Sequence, residues 1–412
     1  MSAPVKGTDA DIDGRAAWLR LSLAVVLSTI GGVGMWSVVV ALPAVQAEFG
    51  TTRADASLPY SLLMISFGFS GVVMGWLADR YGVAWPASIG AVLLGLGYLA
   101  ASAAPTLGTF ALAHALLIAV GSSATFAPLI SDVSHWFLRR RGIAVALCAC
   151  GNYLAGTIWP PVVQHLIAAY GWRATHMMIG LVCAAAMLPL AFALRRRAPA
   201  HDPAQSHSAG PGRRTPIAVS PGVLQGLLVV AGLACCVAMS MPQVHIVAYC
   251  GDLGYGVARG AEMLSLMLAF GIVSRVASGF VADRIGGLWT LMIGSVLQGV
   301  ALFLYLLFDG LASLYVISAL FGLFQGGIVP SYAIIVREYF PPNEAGTRVG
   351  ICIMATLFGM ALGGWLSGVI FDVTGSYQAA FAHGVVWNLL NGAVVLWLIS
   401  RRGAAQMRPV AA

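Results

Sequence analysis

Long apolar runs separated by short polar breaks occupy most of this chain. Twelve can be marked, at residues 20–46, 57–78, 83–103, 107–131, 142–168, 173–194, 221–249, 260–282, 288–308, 312–336, 347–371 and 379–400. Each is near the ~20 apolar residues that a helix needs to cross a hydrocarbon core. Lipid offers no partner to a bare N–H or C=O, so the runs are predicted as helices that satisfy their own backbone. Pro128, Pro160, Pro161, Pro242 and Pro330 are expected to kink them. The widest polar break, residues 195–220, is rich in Pro, Ala, Ser and Arg and reads as a flexible cytoplasmic linker. The expected organisation is a tail over 1–19, a six-helix bundle over 20–194, the linker over 195–220, a second six-helix bundle over 221–400 and a tail over 401–412. Residues 1–17, with Asp9, Asp11 and Asp13, are expected to be disordered. The first apolar run is too long for the core of a signal peptide.

Composition turns the pattern into a class. Hydrophobic residues make up 59% and charged residues 9% of the chain, against about 25% charged in a soluble domain. The reading is an all-α membrane protein with twelve transmembrane helices and lipid around it. The formal charge of +7 then reports loop placement, and no nucleic-acid partner is expected. With the N-terminus inside, 18 of the 22 Lys and Arg fall in cytoplasmic segments. Arg53, Arg173 and Arg259 fall in outer loops, and Arg275 falls inside a span. This bias predicts cytoplasmic termini.

Some chemistries drop out. Cys148, Cys150, Cys183, Cys235, Cys236 and Cys352 lie in apolar runs and no CxxC occurs, so neither a disulfide framework nor a metal site is implied. His201 and His207 read as solvated linker residues. The chain has no GxxxxGK[ST] phosphate loop and no cluster of His or carboxylates at one depth, so ATP hydrolysis, a cofactor and an enzymatic centre are not expected.

Arg275 is the exceptional residue. It stands eight residues before Asp283, about 12 Å along a helix. If Asp283 marks the membrane edge, Arg275 is near the middle of a core about 30 Å thick. A guanidinium there costs at least about 2.5–3.5 kcal/mol and normally faces a cavity with an anionic or carbonyl partner. Its own helical face carries Gly271, Ile272, Ser278 and Gly279, which leave room beside it. An anion site is the functional reading; an arginine bonded only to neighbouring carbonyls or to an interhelical acid is the alternative. Asn152, Tyr153, Ser122 and Gln325 have similar depth and are the other candidates for a cavity, or for polar contacts between helices.

The two halves repeat. Residues 75–82 read GWLADRYG and residues 279–286 read GFVADRIG, 204 residues later. Tyr170, Gly171, Trp172 and Arg173 correspond to Thr374, Gly375, Ser376 and Tyr377 at the same offset. Two bundles of similar fold follow, as in many transporters. Asp79, Arg80, Asp283 and Arg284 of the repeated loops are candidate gating residues, able to bond a helix N-terminus or an arginine in one conformation only. Their candidate partners include Arg139, Arg140, Arg141, Glu338 and Arg348, and Asp132 is expected to pair with the basic cluster at 139–141.

GWLADRYG with its echo resembles the signature loop of the major facilitator superfamily, over essentially residues 20–400. WFLRRRGIAVAL at 136–147, YGWR at 170–173 and the spacing of Arg275 to Asp283 resemble its monocarboxylate transporter and oxalate:formate antiporter branch. The resemblance implies the twelve-helix fold in two pseudo-symmetric bundles, and assigns the binding of a substrate carboxylate to Arg275. The chain departs from that branch in three places. Gly271 stands where the animal proteins carry an acid, no first-span lysine is present, and span eleven has no base beyond Arg348 at its start. One buried cation fits one carboxylate.

The expectation is a monomeric secondary transporter of the bacterial inner membrane that moves a small organic anion, a monocarboxylate, by alternating access. Protons or a counter-anion are its expected co-substrates, with His114 or His245 as remote proton carriers. The competing readings are a facilitator-type exporter of drugs or neutral metabolites, with Arg275 structural, and a transport-inactive membrane sensor.

Overall fold

The computed structural model describes residues 12–196 and 219–402. Most of the linker, with His201 and His207, and residues 1–11 and 403–412 of the two tails lie outside the described residues.

The helices in chain order are α1 (Arg15–Gly31), α2 (Val33–Phe49), α3 (Arg53–Tyr81), α4 (Ala84–Ser102), α5 (Leu107–Ala113), a π-helical turn (His114–Ile118), α6 (Ala119–Ser123), α7 (Ala127–Ser134), α8 (Arg141–Ala149) and α9 (Gly151–Ala193). After the linker come α10 (Pro221–Asp252), α11 (Val257–Ile285), α12 (Gly287–Leu307), α13 (Leu311–Gln325), α14 (Ile328–Tyr339), α15 (Pro342–Thr374) and α16 (Tyr377–Ser400). Among the described residues, eleven helical stretches are long and apolar enough to cross a membrane, and one of them, Arg141–Ala193, has 53 residues. That length is about 80 Å of helix, more than twice the ~30 Å core. It breaks at Gly171, whose φ of 79° and ψ of 161° no L-residue adopts comfortably. The break makes two spans of one stretch, and the count is twelve.

The repeat is visible in the backbone. Gly82 and Gly286 end the two ADR loops at φ 87° and 90°, and each N–H bonds the carbonyl four residues back at 2.8 Å. Gly171 and Gly375, also matched by the repeat, both have positive φ.

Two compact units result. The first joins Met1–His207 to Ile246–Ala269; the second joins Ser208–His245 to Phe270–Ala412. In the first unit, at the end carrying the N-terminus, Arg20 bonds both carboxylate oxygens of Asp132 at 2.7 and 2.8 Å and the carbonyl of Arg196 at 2.8 Å. Asp132 therefore pairs with Arg20 and not with the 139–141 cluster. That cluster is held by its backbone instead. The Asp13 carboxylate accepts the N–H groups of Leu138, Arg139 and Arg140 at 3.2, 3.0 and 3.4 Å. Asp13 is thus a strap and not disordered tail, and α1 begins at Arg15, earlier than residue 20. Burial works against its charge, but these N–H groups and the Arg139 guanidinium outweigh it and hold the carboxyl below its ordinary 3.8.

At the far end of the same unit, Glu48 accepts from Trp172 Nε1 and, at 2.8 Å, from Arg173 Nε, while Arg173 also bonds Ser102 O at 2.8 Å. The YGWR run thus ties the break in α9 to α2 and α4. In the second unit, Glu338 accepts the N–H of Gly287 at 3.1 and 3.3 Å and caps α12. His245 bonds Gly364 O at 2.7 Å through Nε2 and Tyr377 Oη at 3.3 Å through Nδ1.

Candidate functional site

The sequence candidates fall into one cluster in each unit. In the second unit, Arg275 is half-buried on α11, and its backbone lies against a helix interruption. The span after α12 stops at Gln325 and restarts at Ile328, with Gly326 and Gly327 between. A side chain at Gly326 would come within 2.8 Å of Ser274 Cβ and 3.1 Å of Arg275 N. Only hydrogen there lets the interrupted span approach the backbone beside Arg275. Gln325 is fully buried next to this contact and accepts from Gln243 Nε2 at 2.8 Å. The backbones of the two spans thus approach closely at Gly326 and Arg275, with Gln325 the residue before that glycine.

The first unit has its own interruptions. The matching span breaks between Ser123 and Ala127, where Phe126 has φ −118° and ψ −85°. The first span breaks at Gly32, between α1 and α2. These breaks meet. A Cβ on Gly31 would strike Thr125, one on Gly34 would strike Ser122, and one on Gly32 would come within 3.3 Å of Asn152 Oδ1. Ser122 is buried with no hydrogen-bond partner for its hydroxyl. Asn152 donates to Met35 Sδ at 3.7 Å, and its carbonyl accepts from Trp36 Nε1 at 3.3 Å. Tyr153 is buried on the same helix. Ser122 and Asn152 thus share the neighbourhood of Gly31–Gly34, and the glycines that gather them were not singled out by depth counting. The readable signal was the pair of small-residue runs before Pro128 and Pro330, at nearly the repeat offset. Interrupted spans at corresponding positions of two halves point to a binding site.

The loop residues are disposed differently. Asp79, Arg80, Asp283 and Arg284 are exposed. Among the described residues, Asp79 and Asp283 make no ion pair or side-chain hydrogen bond, and Arg80 lies over the rings of Trp76 and Tyr81 at 5.6 and 5.7 Å. Of their candidate partners, Glu338 caps α12 and Arg348 pairs with Glu344 at 2.7 Å. His114 packs against His176 at 5.8 Å between rings, inside a cluster with Phe110 and Trp172.

The Major Facilitator Superfamily profile matches residues 24–311 and 263–412. The chain belongs to the major facilitator superfamily. Monocarboxylate transporter 13 of Bos taurus is 29% identical over 360 residues, covering 85% of this chain and 82% of that one. Monocarboxylate transporter 11 of Mus musculus is 27% identical over 387 residues, covering 90% and 84%. Among solved structures, the nucleoside transporter NupG aligns with a TM-score of 0.70 at 14% identity, covering 93% of this chain and 99% of that one. A bacterial homologue of the lysosomal transporter Spinster, inward-facing and occupied, aligns with a TM-score of 0.67 at 14% identity over 96% of each chain. Those identities speak to fold alone. The protein is a multi-pass membrane transporter with twelve membrane spans.

Proposed function

We propose that this transporter moves a small organic anion, a monocarboxylate, with Arg275 as the group that grips the carboxylate. The observation that carries this is a half-buried arginine in an apolar span whose backbone is approached closely by Gly326. The names of the monocarboxylate transporter relatives support the substrate class. Asn152, Tyr153 and Ser122 are the corresponding polar positions of the other unit. Asp79, Arg80, Asp283 and Arg284 act as gating residues whose bonds form in another conformation. The basic bias of the loops supports cytoplasmic termini, and the reading assigns the protein to a bacterial inner membrane.

Uptake of labelled pyruvate and lactate into proteoliposomes tests the reading. A lost charged hydrogen bond is worth about 1.5–3 kcal/mol, so Arg275→Ala is expected to raise the half-saturating concentration about ten- to a hundredfold. Wild-type transport by correctly inserted Arg275→Ala would remove the assignment.

A further inference from the structure

The first span is broken at Gly32, and the chain on both sides of the break is fastened to one helix. α1 ends at Gly31 and α2 starts at Val33. Before the break, the Thr29 carbonyl accepts from Trp159 Nε1 at 2.8 Å. After it, Trp36 donates through Nε1 to the Asn152 carbonyl at 3.3 Å. The two bonds are reciprocal: each partner sends one indole N–H to a carbonyl of the other. Asn152 and Trp159 are seven residues apart on α9, about two helical turns, so they lie on one face of it. Thr29 and Trp36 are likewise seven residues apart, with Gly32 between them.

The break explains the bonds. Thr29 is one of the last four residues of α1, whose carbonyls a helix cannot satisfy by itself. Lipid offers no donor in their place, and Trp159 supplies one. The Thr29 hydroxyl donates to Val25 O at 2.8 Å and reaches Gly151 O at 3.3 Å, which seats the start of α9 beside the same turn. On the other side, Gly156 makes room for the Trp36 ring: a Cβ there would come within 2.8 Å of Cε2 and 2.9 Å of Nε1. Trp36 is buried and Trp159 half-buried.

Asn152 lies against this brace. A Cβ on Gly32 would come within 3.3 Å of its Oδ1. The bond from its amide nitrogen to Met35 Sδ, at 3.7 Å, goes to a weak acceptor. Asn152 is therefore placed mainly by how the broken span sits on α9. We propose that Trp159, with Trp36 as its counterpart, is a positioning residue that sets the angle of the break at Gly32 and through it the placement of the Asn152 side chain for substrate. The role of Asn152 rests on the organic-anion reading above; the brace itself does not.

Hydrogen exchange of protein in nanodiscs, read by mass spectrometry over residues 29–36, tests the brace without substrate. Trp159→Phe and Trp36→Phe remove the indole N–H. A neutral hydrogen bond is worth about two- to tenfold in an equilibrium, so each is expected to speed exchange there by that factor. Naphthylalanine at 159, which keeps a double ring and lacks the N–H, should do the same. Trp387→Phe, whose indole bonds His383 within α16, should leave residues 29–36 unchanged. Pyruvate uptake into proteoliposomes tests the link to Asn152. Trp159→Phe should raise the half-saturating concentration about two- to tenfold, with the maximal rate nearly unchanged. In an Asn152→Ala background it should add nothing further, because it acts through Asn152. Wild-type exchange with naphthylalanine at 159, or a shift of equal size in the Asn152→Ala background, would overturn the proposal. Uptake that requires Arg275 together with unchanged exchange removes the brace and leaves the transport reading. Faster exchange with no pyruvate uptake by any of the proteins, wild type included, removes the transport reading and supports the brace.

Discussion

Single residues in this protein divide by how far their partners lie along the chain. Arg275 could be singled out because its oddity is local: one base in an apolar run at a readable depth. Lysine there should not restore function. A guanidinium holds a carboxylate by two parallel bonds and an ammonium is a point charge. Transport by Arg275→Lys is expected to recover only part of the loss seen with Ala, read as initial uptake rates in proteoliposomes. Asp13 is the opposite case. Its partners are 125–127 residues away, so its own surroundings read as tail. Its carboxyl is held below 3.8 in the folded protein. A depressed carboxyl stabilises above its unfolded value and loses that contribution as pH falls through the folded value. The melting temperature of Asp13→Asn should therefore lie below wild type near pH 7, and the gap should close as pH falls below about 4. A gap that widened in acid would refute the strap.

At the scale of elements, the breaks matter more than the helices. Gly171 divides a 53-residue helical stretch into two spans. An alanine there must hold a conformation that costs about 1–3 kcal/mol. Gly171→Ala is expected to lower the melting temperature in detergent, whereas Gly226→Ala, within α10 and with open space around it, should not. Gly326 is constrained by its neighbours and not by its dihedral angles. An added methyl would press on Ser274 and the Arg275 backbone, and overpacking of that kind costs typically about 1–3 kcal/mol. Gly326→Ala should weaken carboxylate binding with Arg275 still present, measured as a raised half-saturating concentration. Unchanged binding would mean that the interruption does not set the position of Arg275.

For the whole molecule the question is what lets the charge of Arg275 move. The acids of α11 stand at its ends, Glu262 and Asp283, and Gly271 occupies the position where an adjacent acid would sit. His245 has both ring nitrogens engaged by Gly364 and Tyr377. On the carboxylate reading proposed above, a bound carboxylate offsets the cost of enclosing the Arg275 charge, and exchange is the expected mode over an acid–arginine proton relay. External substrate should accelerate efflux of labelled internal substrate several-fold at fixed pH with the proton gradient collapsed. Efflux indifferent to external substrate, yet driven steeply by a pH gradient after His114 and His245 are replaced, would sink this idea.

The sequence by itself determined what depends on local composition and spacing. Apolar runs of membrane-spanning length determined the helices. The 204-residue repeat determined the paired loops, and an isolated base in an apolar run made Arg275 a candidate. Tertiary structure decided whatever depends on which helices meet. It assigned Asp132 to Arg20, gave the 139–141 backbone to Asp13 and left Asp79 and Asp283 exposed. It also drew Ser122 and Asn152 to Gly31–Gly34, and Gly326 to the backbone of Arg275. The reason is physical. Lipid imposes helices on any apolar run, because each helix closes its own hydrogen bonds. Helix association in lipid depends on close packing of small residues and on polar pairs, both of which are short-range in space and unrestricted along the chain. Arg53 shows the limit most clearly. In the sequence it is one of three bases in outer loops, and only the fold reveals that it is buried, paired to Asp252 and open to a pocket.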